Sequence, residues 1–371
     1  MSNIYVGMDV HQASSTLAVL PAHAPAPTRV DQLPNDLPKL RRYLDRVAEG
    51  GSIHACYEAS GAGYVLHRAL ASWGYSCVVI APSLIPTKPG VQRKHDRYDA
   101  AQLARLFRAG ALTAVRVPSE AEERIRDLVR CRETLQREVL QSKPYLLKFL
   151  ARRGHRFLDG KHWTKAHVAW LETLTAAASP LVAEDQTVFR EYLALFHYKN
   201  DRRLVLDRQI AALAMLPALA LAVGRLQCFR GIQVHAAKVL ATELGDWRRF
   251  TAPTQLMAYL GLVPRERSSG PRERKGAITK AGNSHCRHGL IQAAWSYHRP
   301  KVAATLRARQ RAQPAPVIAH AWKAQHRLPA FFHHLAYRKQ PRVAVVAVAR
   351  ELAGFLWAVM QDLAPPVPAL A

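Results

Sequence analysis

The sequence is poor in cysteine throughout and poor in acid over its last part. Its five cysteines (Cys56, Cys77, Cys131, Cys228 and Cys286) are an odd number in 371 residues, widely scattered and without a C-x-x-C pair. That argues against a disulfide framework and against a structural zinc site. No run of about eighteen apolar residues stands out as a membrane span, so no membrane partner is expected. The opening stretch MSNIYVGMDV lacks a basic segment followed by an apolar one; no signal peptide is read, and a cytoplasmic location is expected. Residues 216–371 hold 23 of the 53 Lys and Arg but only 6 of the 27 Asp and Glu. A genome that favours arginine codons explains the choice of base, not the shortage of acid. With a net charge of +26 and an ordinary 49% of hydrophobic residues, the chain reads as two or three globular domains attracted to a polyanion, and nucleic acid is the expected partner.

Three regions follow along the chain. In residues 1–118, IYVGMDV at 4–10 and STLAVL at 15–20 read as a hairpin; IHACY at 53–57, GYVLHRALASWGY and CVVIAP read as β-α-β. RKHDRYDAAQLARLFRAG, from about residue 93, reads as a helix with Asp96 and Asp99 in its N-terminal half, three apart on one face. Residues 119–215 open on SEAE, a capping box with Ser119 as N-cap and Glu122 at N3. Ile125, Leu128, Leu135, Val139, Leu146 and Phe149 then occupy heptad a and d positions, with Arg132 and Ser142 as mismatches and Pro144 as an expected kink. A second stretch at 187–213 can return antiparallel, giving a coiled-coil hairpin or, alternatively, a plain helical bundle. Residues 216–371 are basic and mostly helical.

Asp9, Glu58, Asp96 and Asp99 form a candidate acidic quartet: one in the first strand, one ending a later strand, two on one helical turn. Taken singly, each has a mundane role as a turn acid, helix cap or surface ion pair. Gathered without counter-charge they would repel, and a divalent cation would neutralise them; an oxygen-only set favours Mg²⁺ or Mn²⁺ over zinc. A strand bearing GMD also begins actin-like and sugar-kinase folds, but the glycine-rich phosphate loops that an ATP site wants are absent after these strands.

In GLVPRERSSGPRERKGAITKAGNSHCR, Arg265, Arg267, Arg272, Arg274 and Lys275 surround Ser268, Ser269 and Gly270. That setting suits a phosphodiester, either under attack by a serine hydroxyl or merely held in a passive turn. A helix starting at Asn283 or Ser284, with Arg287 nearby, can bind a further phosphate.

These stretches resemble a known family. GMDVH, YEASG, KHDRYDA, ELGDWRRF, YLGLVPRERSSG, ITKAGNSHCRHGLIQAAW and VARELAGFLWA follow, in order from about residue 4 to 360, the motifs of the DEDD transposases of insertion sequences, whose studied members are guided by a bridge RNA. His95 stands where threonine is common, and GPRERKG has less glycine than many relatives. The resemblance implies an α/β RNase H-like (RuvC-like) nuclease domain at 1–118, a coiled-coil helical insert at 119–215 and a mostly helical, serine-bearing transposase domain at 216–371. It implies Mg²⁺ (or Mn²⁺) on Asp9, Glu58, Asp96 and Asp99, and Ser269, directly before Gly270, as nucleophile, with Ser268 the lesser candidate. It further implies donor and target DNA, a structured guide RNA, a homo-oligomer from dimer to tetramer, and a bacterial, nucleoid-associated location. The competing expectations are a metal nuclease or Holliday-junction resolvase that uses water, and a nucleic-acid binder without catalysis.

Overall fold

The structure, a computed structural model, describes residues 2–86, 95–213, 217–266, 274–299 and 304–363. The chain divides into two compact units, 1–118 with 279–282, and 119–278 with 283–371.

The first unit is built on a five-stranded sheet. β1 (Asn3–Val10), β2 (Ser14–Pro21) and β3 (Arg29–Pro34) form an antiparallel meander, while β4 (Ser52–Glu58) and β5 (Ser76–Ile80) extend it in parallel, in the order β3-β2-β1-β4-β5. Helices α1 (Leu37–Ala48) and α2 (Val65–Ser72) provide the crossovers into β4 and β5. The hairpin and the β-α-β unit lie where the apolar runs place them; β3 and α1 had no counterpart in the sequence reading.

Alternation of side chains along the strands sorts the core into two layers. Ile4, Val6 and Met8 of β1 and Ile53, Ala55 and Tyr57 of β4 pack with Leu40 and Leu44 of α1 and Leu66 and Leu70 of α2. The opposite parity, Tyr5, Gly7 and Asp9 with Cys56 and Glu58, belongs to the other face. That face is covered by α3 (Asp96–Arg108), whose Ala100, Ala101 and Ala104 are buried against Ala18 and Leu20.

α3 lies very close to the sheet because Gly7 has no side chain. A Cβ at Gly7 would fall 2.3 Å from the Ala100 carbonyl oxygen and 2.4 Å from the Ala104 nitrogen. The ring of Phe107, toward the end of α3, meets Tyr5 edge-on at 5.8 Å, so the helix runs antiparallel to β1. Its first turn therefore points toward the end of β1 that carries Asp9.

The second unit begins with α4 (Glu120–Ala151). Its capping box is formed as the sequence predicts: Ser119 N–H donates to Glu122 Oε2 at 2.8 Å, and Glu122 N–H donates to Ser119 Oγ at 3.2 Å. α4 is one continuous helix through Pro144 and pairs antiparallel with α6 (Ala183–Leu213). Phe149 packs on Phe189, Tyr145 on Tyr192, Lys199 bonds Glu138 and Arg132 bonds Asp207. Arg132, a mismatch to the heptad, is buried because its guanidinium grips Asp207 with two bonds of 2.8 and 3.3 Å. Ser142, the other mismatch, donates to Val139 O within its own helix at 2.8 Å, which lets a hydroxyl sit on the seam.

Between these two helices the chain forms a small tip around α5 (Lys165–Thr173), where His167 is fully buried among Phe157, Trp163 and Trp170. Burial pushes the His167 imidazole below its ordinary pKa.

The rest of this unit is a helical core: α7 (Pro217–Leu226), α8 (Val234–Leu244), α9 (Pro253–Tyr259), a two-stranded hairpin of β6 (Pro264–Glu266) and β7 (Lys275–Ile278), then α10 (Ser284–Ala294), α11 (Ala304–Gln310), α12 (Ala315–Arg338) and α13 (Pro341–Met360). α13 is long and apolar enough to cross a membrane by length and composition, which the sequence reading passed over. Val345, Val348, Leu352, Leu356 and Met360 on it are buried in the core cluster of this unit.

Candidate active site

The acidic residues fall at the carboxyl ends of the central parallel strands, the place where open α/β sheets bind ligands. Asp9 is the penultimate residue of β1 and Glu58 the last of β4. β1 and β4 pair in parallel up to Met8 opposite Tyr57, so Asp9 and Glu58 are one step further along neighbouring strands and share the α3 face. Asp96 and Asp99 occupy the first turn of α3, where carboxylates complement the positive end of the helix dipole. His95 caps that helix, its Nδ1 accepting from Arg97 N–H at 3.2 Å.

Side-chain donors of Asp9, His11 and Asp96 converge, with one ligand atom from each lying within 4.8 Å of the others. His11 Nε2 is 3.3 Å from Asp9 Oδ2 and 3.4 Å from Asp96 Oδ2. Glu58 and Asp99 stand outside this group, on the same strand end and the same helical turn. Two carboxylates and an imidazole this close suit a divalent cation, so the residues present fit a metal. His11 and Val10 also border a pocket of about 760 Å³ that is walled by Leu33, Leu37, Leu40 and Leu66.

The sequence reading did not pick out His11. The signal was present in GMDVH: residues two apart on an extended chain face the same side, and His11 follows Asp9 by two.

The basic loop is anchored on the hairpin of β6 and β7, where Pro264 pairs with Ile278 and Glu266 with Lys275. Arg265, Arg274 and Lys275 are exposed on it. Arg267, Ser268, Ser269, Gly270 and Arg272 lie outside the described residues. α10 starts where expected: Asn283 is its N-cap, with Oδ1 accepting from Cys286 N–H at 2.9 Å. Arg287 turns inward and donates to Leu260 O at 2.8 Å, and burial lowers its pKa.

Sequence reasoning also missed the node beneath this region. Glu243, in ELGDWRRF, has a side chain with no exposed surface. Arg130 grips it with bonds of 2.6 and 2.9 Å, Asn283 Nδ2 donates to it at 2.7 Å, and Arg126 stands at 3.8 Å. Burial pushes the Glu243 carboxyl up, but Arg130, Asn283 and Arg126 outweigh it and hold the pKa below its ordinary value. One carboxylate thus ties α4, the end of α8 and the N-cap of α10 together.

Comparison with known proteins matches both halves of the chain to transposases. Residues 6–153 match a transposase family model, DEDD_Tnp_IS110, and residues 224–309 match the Transposase IS116/IS110/IS902 family. A putative transposase of Sinorhizobium fredii, y4qE, is 37% identical over 96% of this chain and 88% of its own length. The chain belongs to the IS116/IS110/IS902 transposase family. The transposase for insertion sequence element IS1533 of Leptospira borgpetersenii is 30% identical over 91% of this chain and 98% of its own length. A probable family 20 transposase of Pseudomonas aeruginosa is 29% identical over 82% of each. This member of the family is accordingly a DNA transposase of an insertion sequence, and its first matched segment spans Asp9, His11, Glu58, Asp96 and Asp99.

Proposed function

We propose that this transposase cuts and rejoins DNA strands through a covalent phosphoserine, with Ser269 as nucleophile and Asp9, Glu58, Asp96 and Asp99 as the carboxylates of an Mg²⁺ (or Mn²⁺) centre. The observation that carries the metal half is the convergence of Asp9, His11 and Asp96 at the carboxyl end of β1. The serine half rests on the order of motifs and on the exposed bases Arg265, Arg274 and Lys275 at the base of its loop.

In this reading the Ser269 oxygen bonds to the scissile phosphorus as the bond from phosphorus to one strand's oxygen breaks. The serine proton is lost and the released strand end leaves as a hydroxyl. Rejoining reverses these events, as a strand hydroxyl attacks the phosphoserine and frees the serine. The cation supplies neutralisation of the charge that develops on the phosphoryl oxygens. Asp9 and Asp96 would bind and orient it and Glu58 and Asp99 would complete the negative field, while Arg265, Arg274 and Lys275 hold phosphates beside the serine loop.

Residues 1–118 serve as an RNase H-like (RuvC-like) nuclease domain, 119–215 as a coiled-coil insert and 216–371 as the serine-bearing domain. The +26 charge suits both DNA and a structured guide RNA, and the protein acts as a dimer to tetramer in the bacterial cytoplasm, associated with the nucleoid.

The acid cluster alone would equally serve a water-using nuclease, which forms no covalent adduct. Asp9→Asn, Glu58→Gln and Asp96→Asn are expected to abolish strand cleavage while leaving DNA binding within a few fold. Unchanged cleavage in all three would contradict the metal half and favour a binder or another centre.

A further inference from the structure

We infer that His11 is itself a ligand of the divalent cation, a nitrogen donor that this chain adds to the carboxylate set, and that it biases the centre toward Mn²⁺ over Mg²⁺. The inference rests on the metal centre proposed above and goes beyond it in naming a ligand and a metal preference.

The distances carry it first. Ligands of an octahedral ion at about 2.1 Å from the metal stand roughly 3 Å apart when adjacent. The Nε2 of His11 is 3.3 Å from Asp9 Oδ2 and 3.4 Å from Asp96 Oδ2, both near that spacing. Both exceed the 2.7–2.9 Å or so of a charge-assisted hydrogen bond. One nitrogen faces two carboxylate oxygens on two different elements, so the three atoms outline one corner of a coordination sphere. The site is open to ions and substrate: the His11 and Asp96 side chains are each 44% exposed, while Asp9 is 16% exposed.

The backbone carries it second, because His11 is not on a loose loop. Its N–H donates to Ser14 O at 3.0 Å, closing the turn between β1 and β2. Asn35, between β3 and α1, holds that turn from the other side. Its Nδ2 donates to His11 O at 2.5 Å and Gln12 O at 3.1 Å, its N–H to Ala13 O at 3.0 Å, and its Oδ1 accepts from Ser15 Oγ at 2.6 Å. Asn35 therefore uses Nδ2 for His11 and Gln12 and Oδ1 for Ser15, holding both sides of the turn that carries His11. Such a clamp holds a donor in place before the metal arrives.

The chemistry sets the preference. Imidazole is a softer donor than carboxylate, and metals further along the first transition row accept it more readily than Mg²⁺, which favours oxygen and keeps its waters. A carboxylate-only centre would lack that bias.

The test uses the full-length protein with MnCl₂ as probe and no nucleic acid. Electron paramagnetic resonance of free Mn²⁺ gives the affinity, MgCl₂ competition gives the preference, and pulsed measurement of ¹⁴N coupling reports imidazole bound to Mn²⁺. We expect the wild type to show the ¹⁴N coupling. His11→Ala, still folded by circular dichroism, should lose the coupling and bind Mn²⁺ at least about tenfold more weakly, with a smaller loss for Mg²⁺. If the wild type shows no imidazole coupling, or His11→Ala keeps it, while Asp9→Asn still weakens Mn²⁺ binding, the ligand assignment is overturned and the carboxylate centre stands. If Asp9→Asn leaves Mn²⁺ binding unchanged, the metal centre itself falls, and His11 with it.

Discussion

At the residue scale, single buried charges and one missing side chain decide the most. Glu243 is wholly buried and held by Arg130, Asn283 and Arg126. Its carboxylate is worth little as net attraction, but removing it takes the counter-charge from Arg126, whose side chain is only 12% exposed, and leaves the Asn283 amide without its acceptor. Glu243→Ala is expected to destabilise the protein by about 3–5 kcal/mol, read as a fall in the denaturant midpoint. His235 gives the pH counterpart. Burial, then the neighbouring Arg132 guanidinium, pushes its pKa down to about 4. Between its ordinary value and about 4 the unfolded chain takes up a proton that the folded chain refuses, so stability falls as the pH drops through that window. Thermal melts of His235→Gln should have a flatter pH dependence there than the wild type; an unchanged slope would mean that other groups carry it.

At the element scale, the site is assembled by α3 lying on β1. The contact exists because Gly7 meets Ala100 and Ala104 with no side chain between them. Gly7→Ala forces the helix outward, at a cost of about 1–3 kcal/mol, and carries Asp96 away from Asp9 and His11. The expected result is a lower melting temperature together with weaker Mn²⁺ binding; retention of full Mn²⁺ affinity would show that the helix can shift without disturbing the site. Ser119→Ala removes one half of the α4 capping box and is expected to cost about 1 kcal/mol without affecting metal binding.

Much of this assembly was legible in the sequence. The apolar runs of β1, β2, β4 and β5 and the capping box are local signals, and local signals survive reading from sequence. β3 was not legible because RVDQLP is an edge strand with no fully buried residue, so it lacks the alternation that marks a half-buried strand. α1 was legible and was passed over: Asp36 caps Lys39 N–H with proline in the first turn, and Leu37, Leu40, Leu44 and Val47 recur at helical spacing. Arg132 looked like a flaw in the heptad because Asp207, which neutralises it, is 75 residues away. Glu243 was silent for the same reason: its partner Arg130 is 113 residues distant. His11 joins Asp96 only through the packing of α3 on the sheet, which no spacing rule reports.

At the scale of the whole molecule, charge and order of motifs matter more than any one contact. A chain with a net charge of +26 that neutralises phosphates releases counterions, so its affinity for DNA must fall steeply with salt. For about six phosphate contacts the loss is on the order of a thousandfold between roughly 50 and 200 mM salt. Filter binding or fluorescence anisotropy over that range checks it, and a flat response would contradict a polyanion-binding role.

The proposed chemistry turns on whether DNA becomes attached to the protein, and a denaturing gel reads this directly. Full-length protein is incubated with divalent metal, DNA carrying the element ends and RNA encoded beside the gene, then denatured and examined for a protein–DNA adduct. The expected result is an adduct with the wild type and with Ser268→Ala, and none with Ser269→Ala. An adduct that persists in Ser269→Ala, or strand cleavage by the wild type with no adduct at all, would contradict Ser269 as the nucleophile.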